Sequence, residues 1–151
     1  MQSATRSTES WETIMTIEDK PVITVRPKGT HLTKQSLPNF EGISASTAGS
    51  THLCMHLVII PPGRKATPHY HNGYETAIYI VQGRAETKYG PRLEHSSINE
   101  AGDFLFIPPN VPHQPVNLSD KEQVIAVVAR NDPNEQENVV VIEEPVSKSR
   151  K

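Results

Sequence analysis

Residues 63–75 read GRKATPHYHNGYE, a segment in which two histidines and a glutamate follow one another closely. His69 and His71 are separated by one residue in a stretch that we expect to be extended. Side chains at i and i+2 of a strand share one face, with Cα atoms about 6.5 Å apart, so both imidazoles can reach one metal ion. Glu75 has the same parity, and it returns to that face if the turn at Asn72-Gly73 preserves the chain direction. Two neutral imidazoles and one carboxylate suit Mn, Fe, Co, Ni or Zn better than Ca or Mg.

A second segment, residues 102–117, reads GDFLFIPPNVPHQPVN. It predicts an apolar strand, a proline-rich turn, and a histidine at the start of the next strand. Pro108, Pro109 and Pro112 restrict the backbone before His113, which leaves that residue little conformational freedom. A stiffly held histidine loses less entropy on binding a metal ion, so His113 is a further candidate ligand.

The surrounding sequence is typical of an all-β protein with many turns. Thirteen prolines and eight glycines interrupt the apolar stretches, and no dozen residues show convincing helical periodicity. A tight hairpin is expected at Gln82-Gly83, between the strands predicted over residues 76–82 and 84–89. About seven or eight strands suggest a sandwich or a closed barrel, and composition alone does not choose between them. The firmest expected strands are residues 21–26, 53–60, 76–82, 84–89, 103–107, 123–130 and 139–142.

Size and composition predict a single domain. The chain has 151 residues and a formal net charge of -2 with no long block of either sign, which gives no electrostatic case for nucleic acid or an anionic membrane surface. We expect residues 1–20 to be a flexible N-terminal segment, residues 21–142 to form the domain, and residues 143–151 to be a disordered charged tail.

Targeting features are also absent from the sequence pattern. The single cysteine, Cys54, cannot form an internal disulfide and favours a reducing compartment. Residues 1–12 lack the apolar run of a signal peptide, and the longest apolar run, residues 57–62, is too short to cross a bilayer. We expect a cytoplasmic protein without a nucleic-acid or membrane partner.

The two segments together resemble the paired motifs of the cupin superfamily. The first motif has a glycine, His-x-His, a glutamate and a closing glycine, and the second has a glycine, a proline, a histidine and an asparagine. The resemblance implies an all-β, single-domain jelly-roll β-barrel (a double-stranded β-helix) with one divalent transition metal ion, Fe, Mn, Ni or Zn, inside its mouth. It implies four metal ligands: His69, His71, Glu75 and His113. The motif residues in this sequence are Gly63, His69, His71, Glu75 and Gly83, then Gly102, Pro108, Asn110, His113 and Asn117.

This sequence departs from the family pattern in two places. Asn110 stands where the second motif has a glycine, and asparagine tolerates a left-handed turn nearly as well. Seven residues, where six are commoner, separate Glu75 from Gly83. The extra residue either reverses the inward face of the strand or is absorbed by a bulge.

The function that the resemblance implies is open between three classes. The first is a metal-dependent dioxygenase acting on a small organic substrate with vicinal oxygen atoms. The second is a metal-assisted isomerase, cyclase or decarboxylase that consumes no oxygen, and the third is a non-catalytic small-molecule-binding cupin. No catalytic residue beyond the metal ligands can be assigned. His52, Cys54 and His56 alternate on one strand and are expected to line or flank the barrel wall, with His56 a possible substrate contact.

A homodimer is also expected. Small cupins usually pair, and the predicted strand at residues 21–26 would have an unpaired edge that a second subunit could cover.

Overall fold

The computed structural model describes residues 19–134 and 136–145. Most of the predicted flexible segment and the tail after residue 145 lie outside these residues. Within them the chain forms eleven strands and one short helix. In order these are β1 His31–Leu32, β2 Pro38–Ile43, α1 Ala45–Ala48, β3 Cys54–Ile60, β4 His69–His71, β5 Thr76–Gln82, β6 Arg84–Tyr89, β7 His95–Glu100, β8 Phe104–Ile107, β9 His113–Asn117, β10 Val124–Arg130 and β11 Val139–Val141.

The strands form two antiparallel sheets. One has six strands in the order β1-β2-β3-β10-β5-β8, and the other has five in the order β11-β4-β9-β6-β7. The predicted all-β jelly roll is therefore confirmed. Six of the seven expected strands keep their places within one residue, and the seventh, over residues 21–26, is discussed below.

The core lies between the sheets and is built by strict alternation. Along β10, Val124, Ala126 and Val128 are buried, while the residues between them are half-buried on the other face. Continuing that alternation, Arg130 is the next inward position and is buried as well. The strand therefore places apolar side chains in the core and a guanidinium at its end.

The predicted hairpin between residues 76–82 and 84–89 is wrong. β5 belongs to the six-stranded sheet and β6 to the five-stranded sheet, so the chain changes sheet at Gly83. Gly83 has φ +84°, and a Cβ there would lie 2.7 Å from the carbonyl oxygen of Gln123. Only glycine fits this corner, because other residues would meet both the left-handed backbone and the neighbouring carbonyl.

The strand expected over residues 21–26 is also not formed. The edge of the six-stranded sheet is occupied by β1 instead, and Val22 is 96 % exposed. β-branched residues favour a half-buried pleated surface but do not by themselves supply a ladder partner. Residues 21–26 therefore do not offer the strand edge that a second subunit was expected to cover, and the homodimer stays a prediction.

The start of the predicted tail is held against the domain. The carboxylate of Glu144 lies 2.7 Å from Lys65 Nζ and accepts a hydrogen bond of 3.0 Å from Gln114 Nε2. Glu144 thus packs on the domain through its side chain, while the domain boundaries themselves stay predictions. No helix among the described residues is long and apolar enough to cross a membrane.

Candidate metal centre

Three histidines converge between the two sheets. The nearest ligand nitrogens of His69, His71 and His113 all lie within 4.8 Å of one another, and each residue is no more than 4 % exposed. His69 and His71 share one face of β4, as the i, i+2 spacing predicts. His113 begins β9 and is the direct cross-strand partner of His69, so pairing of β4 with β9 closes the cluster.

Backbone carbonyls orient two of the three imidazoles. His69 Nδ1 lies 2.8 Å from the carbonyl oxygen of Thr67, and His113 Nδ1 lies 2.9 Å from that of Val111. A carbonyl oxygen can only accept, so both Nδ1 atoms carry the proton. Nε2 of each ring is left with its lone pair, the tautomer that binds a metal ion.

His71 has a different environment. Its Nε2 lies 3.3 Å from Arg130 Nη2, and its Nδ1 is buried without a hydrogen-bond partner among the described residues. Arg130 also donates from Nε to Thr76 Oγ1 at 3.1 Å. One side of the cluster therefore carries a buried positive charge, and one imidazole has a nitrogen that nothing in the described protein satisfies.

All three imidazoles are neutral at physiological pH. Burial lowers the pKa of His69 to about 3 and that of His113 to about 4. Burial, followed by the charge of Arg130, lowers the pKa of His71 further. Neutral imidazole is the form that ligates metal, so no proton has to leave before an ion can bind. Three neutral imidazole nitrogens within 4.8 Å of one another are the ligand type that suits a divalent transition metal ion.

Glu75 is not brought to this cluster. It is exposed and precedes β5, and its backbone N–H donates to Asn131 Oδ1 at 2.8 Å. Thr76 takes the inward position instead and is 2 % exposed. The inward face is therefore the reverse of that expected from the parity of Glu75. The strand also has a register shift against β10, between the pairs Ile80–Ala126 and Gln82–Ile125. The role of Glu75 as a ligand stays a prediction that metal analysis can test.

A small cavity of about 60 Å³ adjoins the cluster. Its apolar lining comes from both sheets, and its polar lining adds Gln35, His56, Thr76, Thr87 and Arg130 to the three histidines. Gln35 Oε1 and His56 Nδ1 are buried without partners among the described residues. Since a buried polar atom left unsatisfied costs about 1–3 kcal/mol, these atoms are suited to a polar ligand.

Some of these residues could be found from the sequence and others could not. His56 was expected as a wall residue and possible substrate contact, and it is buried on the cavity wall with Cys54 beside it in β3, whereas His52 is exposed. Arg130 continues the inward alternation of residues 123–130, so that pattern was the signal for it. Gln35 lies outside any strand and gave no signal.

Asn110 connects the two motifs. It has φ 63°, its backbone N–H donates to the His71 carbonyl at 3.0 Å, and its Oδ1 accepts from the Gly73 backbone at 2.9 Å. The left-handed turn expected at this position is therefore present. The Asn110 side chain also hydrogen-bonds the loop that follows His71, which a glycine at this position could not do.

Residues 56–129 match the cupin domain family. The chain belongs to the cupin superfamily. Solved cupins share its fold: the oxalate decarboxylase of Lactobacillus farciminis in complex with formate aligns with a TM-score of 0.64 at 22 % identity, over 75 % of this chain and 33 % of that one. An uncharacterised double-stranded β-helix protein from Klebsiella pneumoniae aligns with a TM-score of 0.60 at 18 % identity, over 80 % of this cupin and 92 % of that protein.

A curated relative is similar in sequence over part of the domain. The polyketide synthase CurC of Streptomyces cyaneus is 34 % identical over 77 residues, which is 50 % of this cupin and 47 % of the relative. This cupin therefore aligns with about half the length of that relative. The matched region in the family comparison contains all three histidines of the cluster.

Proposed function

We propose that His69, His71 and His113 hold one divalent transition metal ion, Fe, Mn, Ni or Zn, and that the protein is a metal-dependent enzyme for a small, oxygen-rich organic substrate. The observation that carries the proposal is the convergence of three buried, neutral imidazoles within 4.8 Å. With both Nδ1 protons held by the Thr67 and Val111 carbonyls, His69 Nε2 and His113 Nε2 are both acceptors and cannot hydrogen-bond each other. This arrangement favours a shared metal ion over a structural hydrogen-bond network.

A dioxygenase is the reaction class that the ligand number favours. Three protein ligands on a six-coordinate ion leave three positions, enough for a substrate bound through two oxygens and for dioxygen. When bound, the ion would act as a Lewis acid for substrate oxygens and, if redox-active, would supply electrons to dioxygen. The exposed position of Glu75 is consistent with this count, because a carboxylate directed to solvent would add no fourth ligand.

The remaining residues prepare the site. The Thr67 and Val111 carbonyls fix the His69 and His113 rings before an ion arrives. Arg130, buried beside His71, adds positive charge next to the ion. An anionic substrate such as an enolate, a phenolate or a carboxylate is therefore favoured over a neutral one.

A non-oxidative isomerase, cyclase or decarboxylase is the second candidate. It is favoured by the partial similarity to the polyketide synthase CurC and by the fold shared with an oxalate decarboxylase bound to formate. The same three imidazoles and the same guanidinium would serve it, with the ion polarising a carbonyl and no oxygen consumed.

Elemental analysis of the purified protein tests the metal site. We expect close to one transition metal ion per chain, lost in His69→Ala and His113→Ala. His52→Ala is the matched control, because His52 is exposed and outside the cluster, and it should keep full metal content. Glu75→Gln should also keep its metal if three histidines suffice. Full metal content in the two cluster variants would refute the proposal.

Oxygen consumption separates the two reaction classes. Metal-loaded protein is given a panel of catechols, diketones and small oxo acids in an oxygen electrode, and the same panel is repeated under argon. Oxygen uptake with product formation supports the dioxygenase, and turnover under argon supports the second candidate. Binding of a panel compound without turnover in either experiment would mean that the protein is a binding module.

A further inference from the structure

A cleft of about 380 Å³ opens along the edge of the sandwich, where the outermost strands of the two sheets face each other. We name it the β7–β8 cleft. Its walls come from β6 and β7 on one side and from β8 and the turn after it on the other. The lining residues are Thr87, Tyr89, Ser97, Asn99, Phe104, Leu105, Phe106, Ile107, Pro108, Val111 and His113.

The cleft adjoins the cavity at the metal centre. Thr87, Ile107 and His113 line both spaces. Tyr89 is the cross-strand partner of His113, and Thr87, one inward position further along β6, is paired with Pro115. The wall of β6 thus leads from the exposed mouth, at Tyr89, to the buried side of the cluster, at Thr87. A molecule in the cleft would therefore lie against His113, one of the residues that would hold an ion.

The inner cavity is too small for a whole organic substrate. About 60 Å³ corresponds to roughly four to six water-sized positions, because one position needs about 10–15 Å³. That volume admits the ion and the few oxygen atoms that bind it. The cleft volume of about 380 Å³ lies in the range of small-molecule sites, so any larger part of the substrate has to extend there.

The lining of the cleft indicates the chemistry of that part. Phe104 and Phe106 form the exposed rim of β8, 82 % and 62 % exposed, with the Phe104 ring 4.7 Å from that of Tyr79 on the outer face of the sheet. Tyr89 lines the wall of β6, with its ring 5.3 Å from that of His95. Aromatic faces stack on flat rings, and large exposed apolar side chains gain when a ligand covers them. Asn99 Oδ1 is buried there without a partner among the described residues, so it can accept a hydrogen bond from a ring substituent.

We propose that the substrate is a flat, largely apolar ring compound that carries two adjacent acidic oxygens at one end. The oxygen end occupies the cavity between the histidines and Arg130, and the ring lies in the β7–β8 cleft. This inference rests on the proposed function, because it names the substrate class of the same centre.

Two hydroxamates test the inference. Acetohydroxamate and benzohydroxamate have the same two-oxygen anionic head, and only the second carries a ring. Each is titrated into cobalt-loaded protein and followed by the visible absorbance of the ion and by calorimetry. Burial of about 60 Å² of ring surface at about 25 cal/mol per Å² predicts that benzohydroxamate binds roughly tenfold tighter.

Adjacent serines of β7 give a matched pair of variants. Ser97 lines the cleft, whereas Ser96 is on the opposite face of the strand and bonds Glu86. Ser97→Trp should remove the tenfold preference for benzohydroxamate and leave acetohydroxamate binding within threefold of wild type. Ser96→Trp should keep the preference. If Ser97→Trp does not fold, Phe106→Ser replaces it, with a smaller loss of the same preference expected.

The outcomes distinguish failure of the metal site from failure of the proposal for the cleft. If wild-type protein binds no cobalt, the proposed metal site fails. If it binds cobalt but neither hydroxamate, the metal site stands and the substrate inference is overturned. If both hydroxamates bind equally well, or Ser97→Trp and Phe106→Ser leave the preference intact, the metal site stands and the cleft inference is overturned. The same holds if light scattering shows that Phe106→Ser changes the oligomeric state without changing the preference, because the rim would then be a subunit contact.

Discussion

Acidification should strongly destabilise the metal-free protein, and the histidine cluster sets the pH range. An ordinary histidine has a pKa near 6.5 in the unfolded chain, whereas burial lowers the pKa of His113 to about 4 and that of His69 to about 3 in the folded protein. Between these values the unfolded chain binds protons that the folded protein does not. The stability from the neutral rings is complete above pH 6.5 and is lost as the pH falls toward 4 and then 3.

The magnitude follows from the same pKa values. One pKa unit corresponds to about 1.4 kcal/mol, so at pH 5 each of these two histidines has lost about 2 kcal/mol of its contribution. Together they remove about 4 kcal/mol, a large share of the 5–15 kcal/mol that stabilises a typical domain. The pKa of His71 is lowered too, which adds to the loss in the same direction.

Urea unfolding of chelator-treated protein at pH 7.5, 6.5, 5.5 and 5.0 measures this loss. Other groups also titrate in the range, so His113→Gln is the informative variant. Its free energy of unfolding should fall by about 2 kcal/mol less than that of wild type between pH 7.5 and 5. His95→Gln, which removes an exposed histidine of β7, should follow wild type. Identical pH dependence in His113→Gln and wild type would refute the reasoning.

A divalent ion at one hundred times its Kd should add about 2.7 kcal/mol to the free energy of unfolding at pH 7.5.

Three further predictions concern single positions. Gly83→Ala should destabilise the protein by more than 2 kcal/mol in urea unfolding, because the added Cβ would lie 2.7 Å from the Gln123 carbonyl oxygen. Gly73→Ala should cost about 1 kcal/mol, because Gly73 has φ +81° but open space around it. Equal costs would contradict this. Asn110→Val should cost more than 2 kcal/mol and Asn110→Gly about 1 kcal/mol, since only the valine is strained at φ 63° while both lose the bond to the Gly73 N–H. Cys54, fully buried, should react with a thiol reagent at least a hundredfold more slowly in native than in urea-unfolded protein, and fast native labelling would contradict its burial.

The histidine cluster was predictable because its information is local. The i, i+2 spacing in β4 places His69 and His71 on one face whatever the rest of the fold does. The prolines before His113 fix its entry into β9. Only the family resemblance indicated that the segments of His69 and His113 come together. In the structure this long-range contact is the pairing of β4 with β9, which closes the site.

The wrong predictions about strands share a different physical cause, which is that the sequence of a strand does not determine which other strand it pairs with. Residues 76–82 and 84–89 have the pattern of a hairpin, yet the Gly83 corner sends them to different sheets. Pro38–Ile43 and His95–Glu100 were overlooked because both are polar for strands, and each is held by a neighbour in the ladder. The inward face of β5 depended on one residue of spacing, which moved Thr76 into the position expected for Glu75.

The three histidines and the β7–β8 cleft are supported by largely separate parts of the molecule. His69, His71 and His113 stand on β4 and β9 in the middle of the five-stranded sheet, whereas the cleft is walled by the outermost strands of both sheets. Substitutions along β7 and β8 can therefore alter which molecules are admitted while the nitrogen donors keep their positions. Such a scaffold can acquire new selectivity by exchanging rim side chains, without moving the three imidazoles.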